Sequence, residues 1–275
     1  MENRDVLSRP ASPPDRTVRY GDSPDHIADL WFAHEPDAPA VVLWHGGFWR
    51  VEYDRTYLRP MANALRDEGF TLVTPEYRRT GAGGGWPATF DDVARMTDSL
   101  PDILRDAEQC PEAIVHAGHS AGGHLALWAA RRHLLPEDVP WRRDADAAVA
   151  GVLALAPVLD LAEAYLLDLD IGAVAALLGG GPDDVPERFA ATDLMRIGGD
   201  APPVTILHGD ADGRVPIGLS RRFATEGFGT LTELPGVDHF AVIDPESAVW
   251  PDVVSALESL RRLRSSGQIS RKERP

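Results

Sequence analysis

The stretch AIVHAGHSAGGHLALW, residues 113 to 128, decides how the rest of the chain is read. AIVHAG is a short apolar run of strand character, and the pattern from Ala121 onward is helical. Between them, Gly118-His119-Ser120-Ala121-Gly122 matches G-x-S-x-G. The pentapeptide alone is common by chance; between a strand and a helix it carries weight. In that context Ser120 sits on a tight, strained turn with its hydroxyl exposed above the sheet edge. The flanking glycines let neighbouring backbone approach closely. The amide of Ala121, at the helix start, points where negative charge develops on an attacked carbonyl. The bland alternative, a glycine-rich helix start capped by a serine, does not explain the strand, motif and helix together.

Apolar runs alternate with helical patterns on both sides of this stretch. TVRYG (17–21), HIADLWFA (26–33), AVVLW (40–44), FTLVTPEYR (70–78), AVAGVLALAPVL (148–159), PVTILHG (203–209) and GTLTELPG (229–236) read as strands. Residues 54–68, 90–108, 121–133, 216–227 and 245–264 read as helices. Strands this apolar belong in a sheet covered on both faces, and alternation with helices makes the sheet mostly parallel. The fold class is therefore α/β, over a single domain spanning residues 17–264. Residues 1–16, polar and proline-rich, and 265–275, charged and aperiodic, are expected to be flexible. Residues 161–200 interrupt the rhythm with more chain than a crossover needs; they are either an elaborated crossover or a cap over a pocket.

The chain has 275 residues, 43 acidic and 27 basic, for a formal net charge of −16. Such a surface repels phosphate backbones and anionic lipid, which argues against nucleic-acid and membrane partners. The longest apolar run, Val149 to Leu159, is too short to span a bilayer, and the first residues do not have the apolar core of a signal peptide. With Cys110 as the one cysteine, no intrachain disulfide forms, and a cytoplasmic location is expected.

A serine hydroxyl needs a base, and the base needs an orienting partner. Of nine histidines, His239 alone follows the last strand, in PGVDHFAV. Loops at the carboxyl edge of an open parallel sheet are where sites form. For the acid, LHGDADGRVP places Asp210 and Asp212 in the loop after the preceding strand, and residue spacing barely separates the two. The order Ser, Asp, His along the chain is that of α/β-hydrolase triads.

Together, HGGFW, GHSAGGHLA, HGDADGRVP and DHF resemble the α/β-hydrolase superfamily over residues 17–264. The chain looks most like its small esterase and arylformamidase (kynurenine formamidase-like) group. The resemblance implies an eight-stranded, mostly parallel sheet with helices on both faces and a small cap-like insertion. It assigns the catalytic acid to Asp212 and the base to His239, and it adds the backbone amides of Gly47 and Phe48 to that of Ala121 as the oxyanion hole. Related lipases carry a third glycine where this chain has Phe48. The glycines of WHGGFWR are thus read as bare backbone meeting a substrate oxygen. Trp49, His119 and Trp86 are candidates for the substrate pocket, Trp49 being equally compatible with plain core. The resemblance implies a small-molecule ester or amide substrate, cleaved through an acyl-enzyme, with no cofactor or metal. An exopeptidase-like hydrolase and a non-catalytic binding protein on the same scaffold are the rival readings.

Overall fold

The computed structural model describes residues 2–145, 148–199 and 201–272, with side chains of the last helix described as far as residue 263. Among these residues eight strands form one sheet: β1 Arg16–Arg19, β2 Ile27–Trp31, β3 Ala40–Trp44, β4 Thr71–Pro75, β5 Ile114–His119, β6 Val149–Leu155, β7 Val204–Gly209 and β8 Thr230–Leu234. Their order is β1-β2-β4-β3-β5-β6-β7-β8. β2 runs antiparallel to both neighbours, and every pair from β4 to β8 is parallel. This is the eight-stranded, mostly parallel α/β-hydrolase sheet expected from the motifs.

Helices α1 Arg59–Asp67, α2 Ala88–Asp106, α3 Ala121–Ala130, α7 Gly218–Thr225 and α8 Trp250–Lys272 cover the sheet. Leu65 of α1 and Leu257 of α8 join one apolar core, with Leu43 and Leu153 of the sheet. Phe90 of α2, Leu125 of α3 and Phe223 of α7 join the other, with Val42 and Val152. Alternate residues of the central strands feed opposite cores, which is why β3 is apolar at every position and buried throughout. All ten residues of α3 are buried, so it has no polar face to spare. Among the described residues no helix is long and apolar enough to cross a membrane.

Between β6 and β7 lie three short helices, α4 Leu161–Leu166, α5 Ala173–Leu178 and α6 Pro186–Thr192. Asp193, just after α6, is almost fully buried, and its Oδ1 accepts from the amides of Leu161 (3.2 Å) and Met195 (3.2 Å). Burial, reinforced by nearby Asp160, pushes its carboxyl up to about 6 from an ordinary 3.8. An acid raised in the folded state contributes stability that is complete below 3.8 and lost as pH rises through about 6. Asp193→Asn is therefore expected to raise stability at pH 8 by up to about 3 kcal/mol, at about 1.4 kcal/mol per unit, with little effect at pH 4. Denaturant unfolding at the two pH values checks this; a variant no more stable at pH 8 contradicts it.

The two ends of the chain differ from expectation. Residues 2–15 lie against the domain: Val6 is buried, the Arg9 guanidinium pairs with Asp244, and the amide of Asn3 donates to Asp238 Oδ2 (2.8 Å). Ion pairs of Arg9 with Asp244 and Glu246 and of Glu2 with Arg214, together with the buried Val6, seat an otherwise polar segment. At the other end α8 continues past residue 264 to Lys272, and residues 273–275 of the expected tail lie outside the described residues.

Candidate active site

Ser120 stands between β5 and α3 with φ +58° and ψ −122°. A serine adopts this left-handed conformation only where its surroundings impose it, at a cost of order 1–3 kcal/mol. The surroundings are on hand: its amide donates to the Leu155 carbonyl (2.8 Å), and its own carbonyl accepts from Gly123 (2.9 Å). A Cβ at Gly122 would lie 2.1 Å from the Trp44 carbonyl oxygen, so the turn after β5 presses directly on the end of β3.

That contact revises the reading of WHGGFWR. A Cβ at Gly46 would meet the carbonyl oxygen of His119 at 2.6 Å and Ser120 Cβ at 2.8 Å. The first glycine is bare where the serine turn packs against it. Phe48 and Trp49 follow with φ +49° and +57°. Phe48, which stands where related lipases have a third glycine, is left-handed here, at some strain.

His239 and Asp212 come together at the carboxyl ends of β8 and β7. His239 Nδ1 lies 2.6 Å from Asp212 Oδ2, and Asp212 Oδ1 accepts from the amides of Arg214 (2.7 Å) and Val215 (2.9 Å). Burial alone would raise this carboxyl, but the donors from His208 and His239 hold it well below the usual carboxylate range. Asp210 is exposed and caps a turn, accepting from the Gly236 amide (2.6 Å). With Nδ1–H on Asp212, the Nε2 lone pair of His239 is the one left to take a proton.

Ser120 and His239 border a small cavity of about 40 Å³, with Gly47, Phe48 and His119 also in its wall. The amides of Gly47, Phe48 and Ala121 have no hydrogen-bond acceptor among the described residues. Phe48 and Ala121 are buried, and a buried amide without an acceptor is uncommon in a folded chain.

The three pocket candidates fare differently. His119 lines the cavity, but both its nitrogens are engaged, Nε2 with the His239 carbonyl (2.9 Å) and Nδ1 with Tyr57 Oη (3.1 Å). Burial, with His239 close by, pushes its imidazole down to about 3, so it stays neutral. Nε2 then donates to the carbonyl, Nδ1 accepts from the Tyr57 hydroxyl, and that hydroxyl accepts from the Gly46 amide (2.7 Å). From the cavity wall, His119 ties the loop of His239 to Tyr57. Trp49 is fully buried and packs edge-on to His124 (ring centroids 5.4 Å apart), away from the cavity wall. Trp86 packs edge-on to Trp141 (5.0 Å) with the Arg188 guanidinium over it, also off the cavity.

Several residues at the site carried no legible signal. Leu7 from the N-terminal segment, Asp170 from the 161–200 segment, Arg214 and Phe240 complete the cavity wall. Tyr57 sits at a helical apolar spacing indistinguishable from core. Glu76, at the end of β4, accepts from His45 Nε2 (2.8 Å) and the Arg55 amide (3.1 Å). Burial would raise Glu76, but His45, Arg79 and the Arg55 amide hold it down to about 2. The other nitrogen of His45 faces the Gly46 carbonyl (2.9 Å), so this buried pair anchors the HGG loop.

The BD-FAE family model matches residues 30–226. Esterase LipQ of Mycobacterium tuberculosis is 28% identical over 230 residues, covering 78% of this chain and 54% of LipQ. Kynurenine formamidase of Danio rerio is 25% identical over 146 residues, covering 52% of this chain and 47% of that protein. The chain spans about half the length of the curated mycobacterial relatives it matches, 54% of LipQ and 51% of LipM. Among solved structures, esterase B from Lactobacillus rhamnosis superposes with a TM-score of 0.77 at 18% identity, covering 96% of this chain and 91% of that one. A truncated carbohydrate esterase from gut microbiota gives 0.75 at 20% identity, covering 91% of this chain and 100% of that one. With the eight-stranded sheet and the serine turn between β5 and α3, these matches place the chain in the BD-FAE family, on the α/β-hydrolase fold.

Proposed function

We propose that the protein is a serine hydrolase that cleaves a small carboxylic ester through an acyl-enzyme. One observation carries the reading: a strained serine and a histidine held on a buried carboxylate share one cavity with amides that have no acceptor. Ser120 Oγ attacks the ester carbonyl while His239 Nε2 takes the hydroxyl proton. Asp212 keeps His239 in the Nδ1–H tautomer and stabilises the imidazolium. The amides of Gly47, Phe48 and Ala121 receive the oxyanion, one such donor being worth about 2.7–4 kcal/mol in precedent. His239 then protonates the departing alcohol. Water, activated by the same nitrogen, attacks the acyl-enzyme and releases the acid.

A cavity of about 40 Å³ exceeds the space one water needs by only a few-fold and suits an acyl group of few heavy atoms. Asp170 in the cavity wall, held by Arg50 (2.7 Å), supports reading residues 161–200 as a cap over the site. The same small cavity suits a formyl group, and the similarity to a kynurenine formamidase makes an aryl formamide the second reading. A p-nitrophenyl ester series run beside N-formylkynurenine separates the two. Esters up to about four acyl carbons turning over fastest support the first. Faster turnover of the formamide supports the second, and no turnover of either, with no organophosphate labelling of Ser120, removes both.

A further inference from the structure

His208, next to last in β7, is fully buried and makes three polar contacts. Its Nε2 lies 3.1 Å from Asp212 Oδ2 and 3.0 Å from the Val215 carbonyl oxygen. Its Nδ1 lies 2.7 Å from Ser220 Oγ on α7, itself fully buried. A carboxylate and a carbonyl only accept, so Nε2 carries the proton and Nδ1 accepts from the Ser220 hydroxyl. The two acceptors at Nε2 select the tautomer, and the hydroxyl, which can donate or accept, follows it.

A carboxylate offers about four lone-pair sites. Asp212 has four donors: two amides on Oδ1, and His239 and His208 on Oδ2. Two amides and His239 already satisfy and aim the acid. A second imidazole on the oxygen that holds His239 does something more. It stops rotation of the carboxylate, and it draws charge from Oδ2.

We propose that His208 is a positioning residue of this site: its Nε2–H, polarised by the Ser220 hydroxyl on Nδ1, holds Asp212 Oδ2 in line with His239 and moderates the pull of that oxygen on the imidazolium. The proposal rests on reading Ser120, His239 and Asp212 as the catalytic triad. It predicts a direction. With one donor fewer on Oδ2, the carboxylate stabilises the His239 imidazolium more strongly, and the acid limb of kcat/KM moves to higher pH.

The groups facing His239 are few. Asp212 meets its Nδ1, and His119 donates to its backbone carbonyl. Ser120, Tyr53, Tyr57, Asp170 and Arg214 share its cavity wall, with Asp170 paired to Arg50 (2.7 Å) and Arg214 to Glu2 (3.1 Å). Asp238, beside it in sequence, is taken by the amides of Phe240 and Ala241. Of these, residue 208 acts on Asp212 by hydrogen bond and on His119 by charge alone. Because Asp212 is held well below the usual carboxylate range, it stays ionised across the pH interval in which the limb is read.

The test compares His208→Phe, His208→Gln and Ser220→Ala in the full chain, following ester hydrolysis from pH 5 to 9 and organophosphate labelling of Ser120. His208→Phe is expected to lower kcat about tenfold or more and to move the acid limb up by about half a unit. His208→Gln, whose amide can donate to the same oxygen, restores the limb to its parental position. Ser220→Ala keeps the imidazole and its tautomer but removes the hydroxyl that strengthens the Nε2–H donor, and it moves the limb in the same direction by less. If His208→Phe does not fold, Ser220→Ala with a parental limb overturns the proposal. Loss of rate in both His208 variants with the limb unmoved also overturns it, and marks His208 as packing alone. A parent protein that Ser120-directed organophosphate does not label overturns the triad reading, and this assignment with it.

Discussion

Ser120→Ala is expected to leave the protein folded and to cut ester hydrolysis at least about 10⁴-fold. The hydroxyl takes no part in holding the fold, since Ser120 Oγ has no hydrogen bond among the described residues. What holds the turn is backbone: the Ser120 amide on the Leu155 carbonyl and the Val158 amide on the Ser120 carbonyl (3.2 Å). Alanine keeps both. Glycine at the same position keeps both and also removes the penalty of φ +58°, so Ser120→Gly should be inactive and more stable by about 1 kcal/mol. Residual rate above water should survive in both variants, because the oxyanion amides remain. Hydrolysis of a short p-nitrophenyl ester and thermal unfolding read the two effects separately. Parental activity in Ser120→Ala would sink the proposed mechanism outright.

Asp212→Asn and Asp210→Asn should differ by orders of magnitude. Asn at 212 offers an amide to His239 Nδ1 as readily as an oxygen, which favours the wrong imidazole tautomer and costs about 10⁴-fold in kcat where such a substitution has a precedent. It also unsettles His208, which shares the same oxygen. Asp210 lies exposed two residues away, and its one recorded bond, from the Gly236 amide, is one an asparagine oxygen accepts equally well. Asp210→Asn should therefore stay within about threefold of the parent, as surface substitutions do. Comparing kcat/KM of the two variants at pH 8 decides it. Equal losses would remove Asp212 from its assigned role.

The choice between these two carboxylates shows what residue spacing leaves open. Both follow β7, both are acids in a polar loop, and only resemblance to a family pattern favoured Asp212. The structure separates them by burial and by partner: one faces His239, the other a turn amide. The tryptophans show the same limit. Trp49 and Trp86 follow glycine-rich loops near the site, yet each turns into an aromatic packing contact instead of the cavity. An aromatic side chain is buried either way, so composition cannot tell a pocket wall from a core. The N-terminal segment misled for a related reason. Its average character is polar, but Val6 lies in the core and Leu7 in the cavity wall, and polar groups such as Arg9 find partners on the domain.

What the amino-acid sequence determined by itself is whatever rests on short-range sterics and periodicity. The apolar runs dictate a covered parallel sheet, and G-x-S-x-G between strand and helix dictates a strained serine at its edge. Both are consequences of contacts within a few residues or between adjacent strands. Which side chains share the 40 Å³ beside that serine was decided only by tertiary structure. Its wall draws on Leu7, Tyr57, Asp170 and Phe240, residues from four separate segments of the chain. Periodicity marks Tyr57 as buried, but burial is satisfied by any apolar neighbour, and Leu7 and Asp170 have no periodic signal at all; only the packed molecule fixes which neighbours meet.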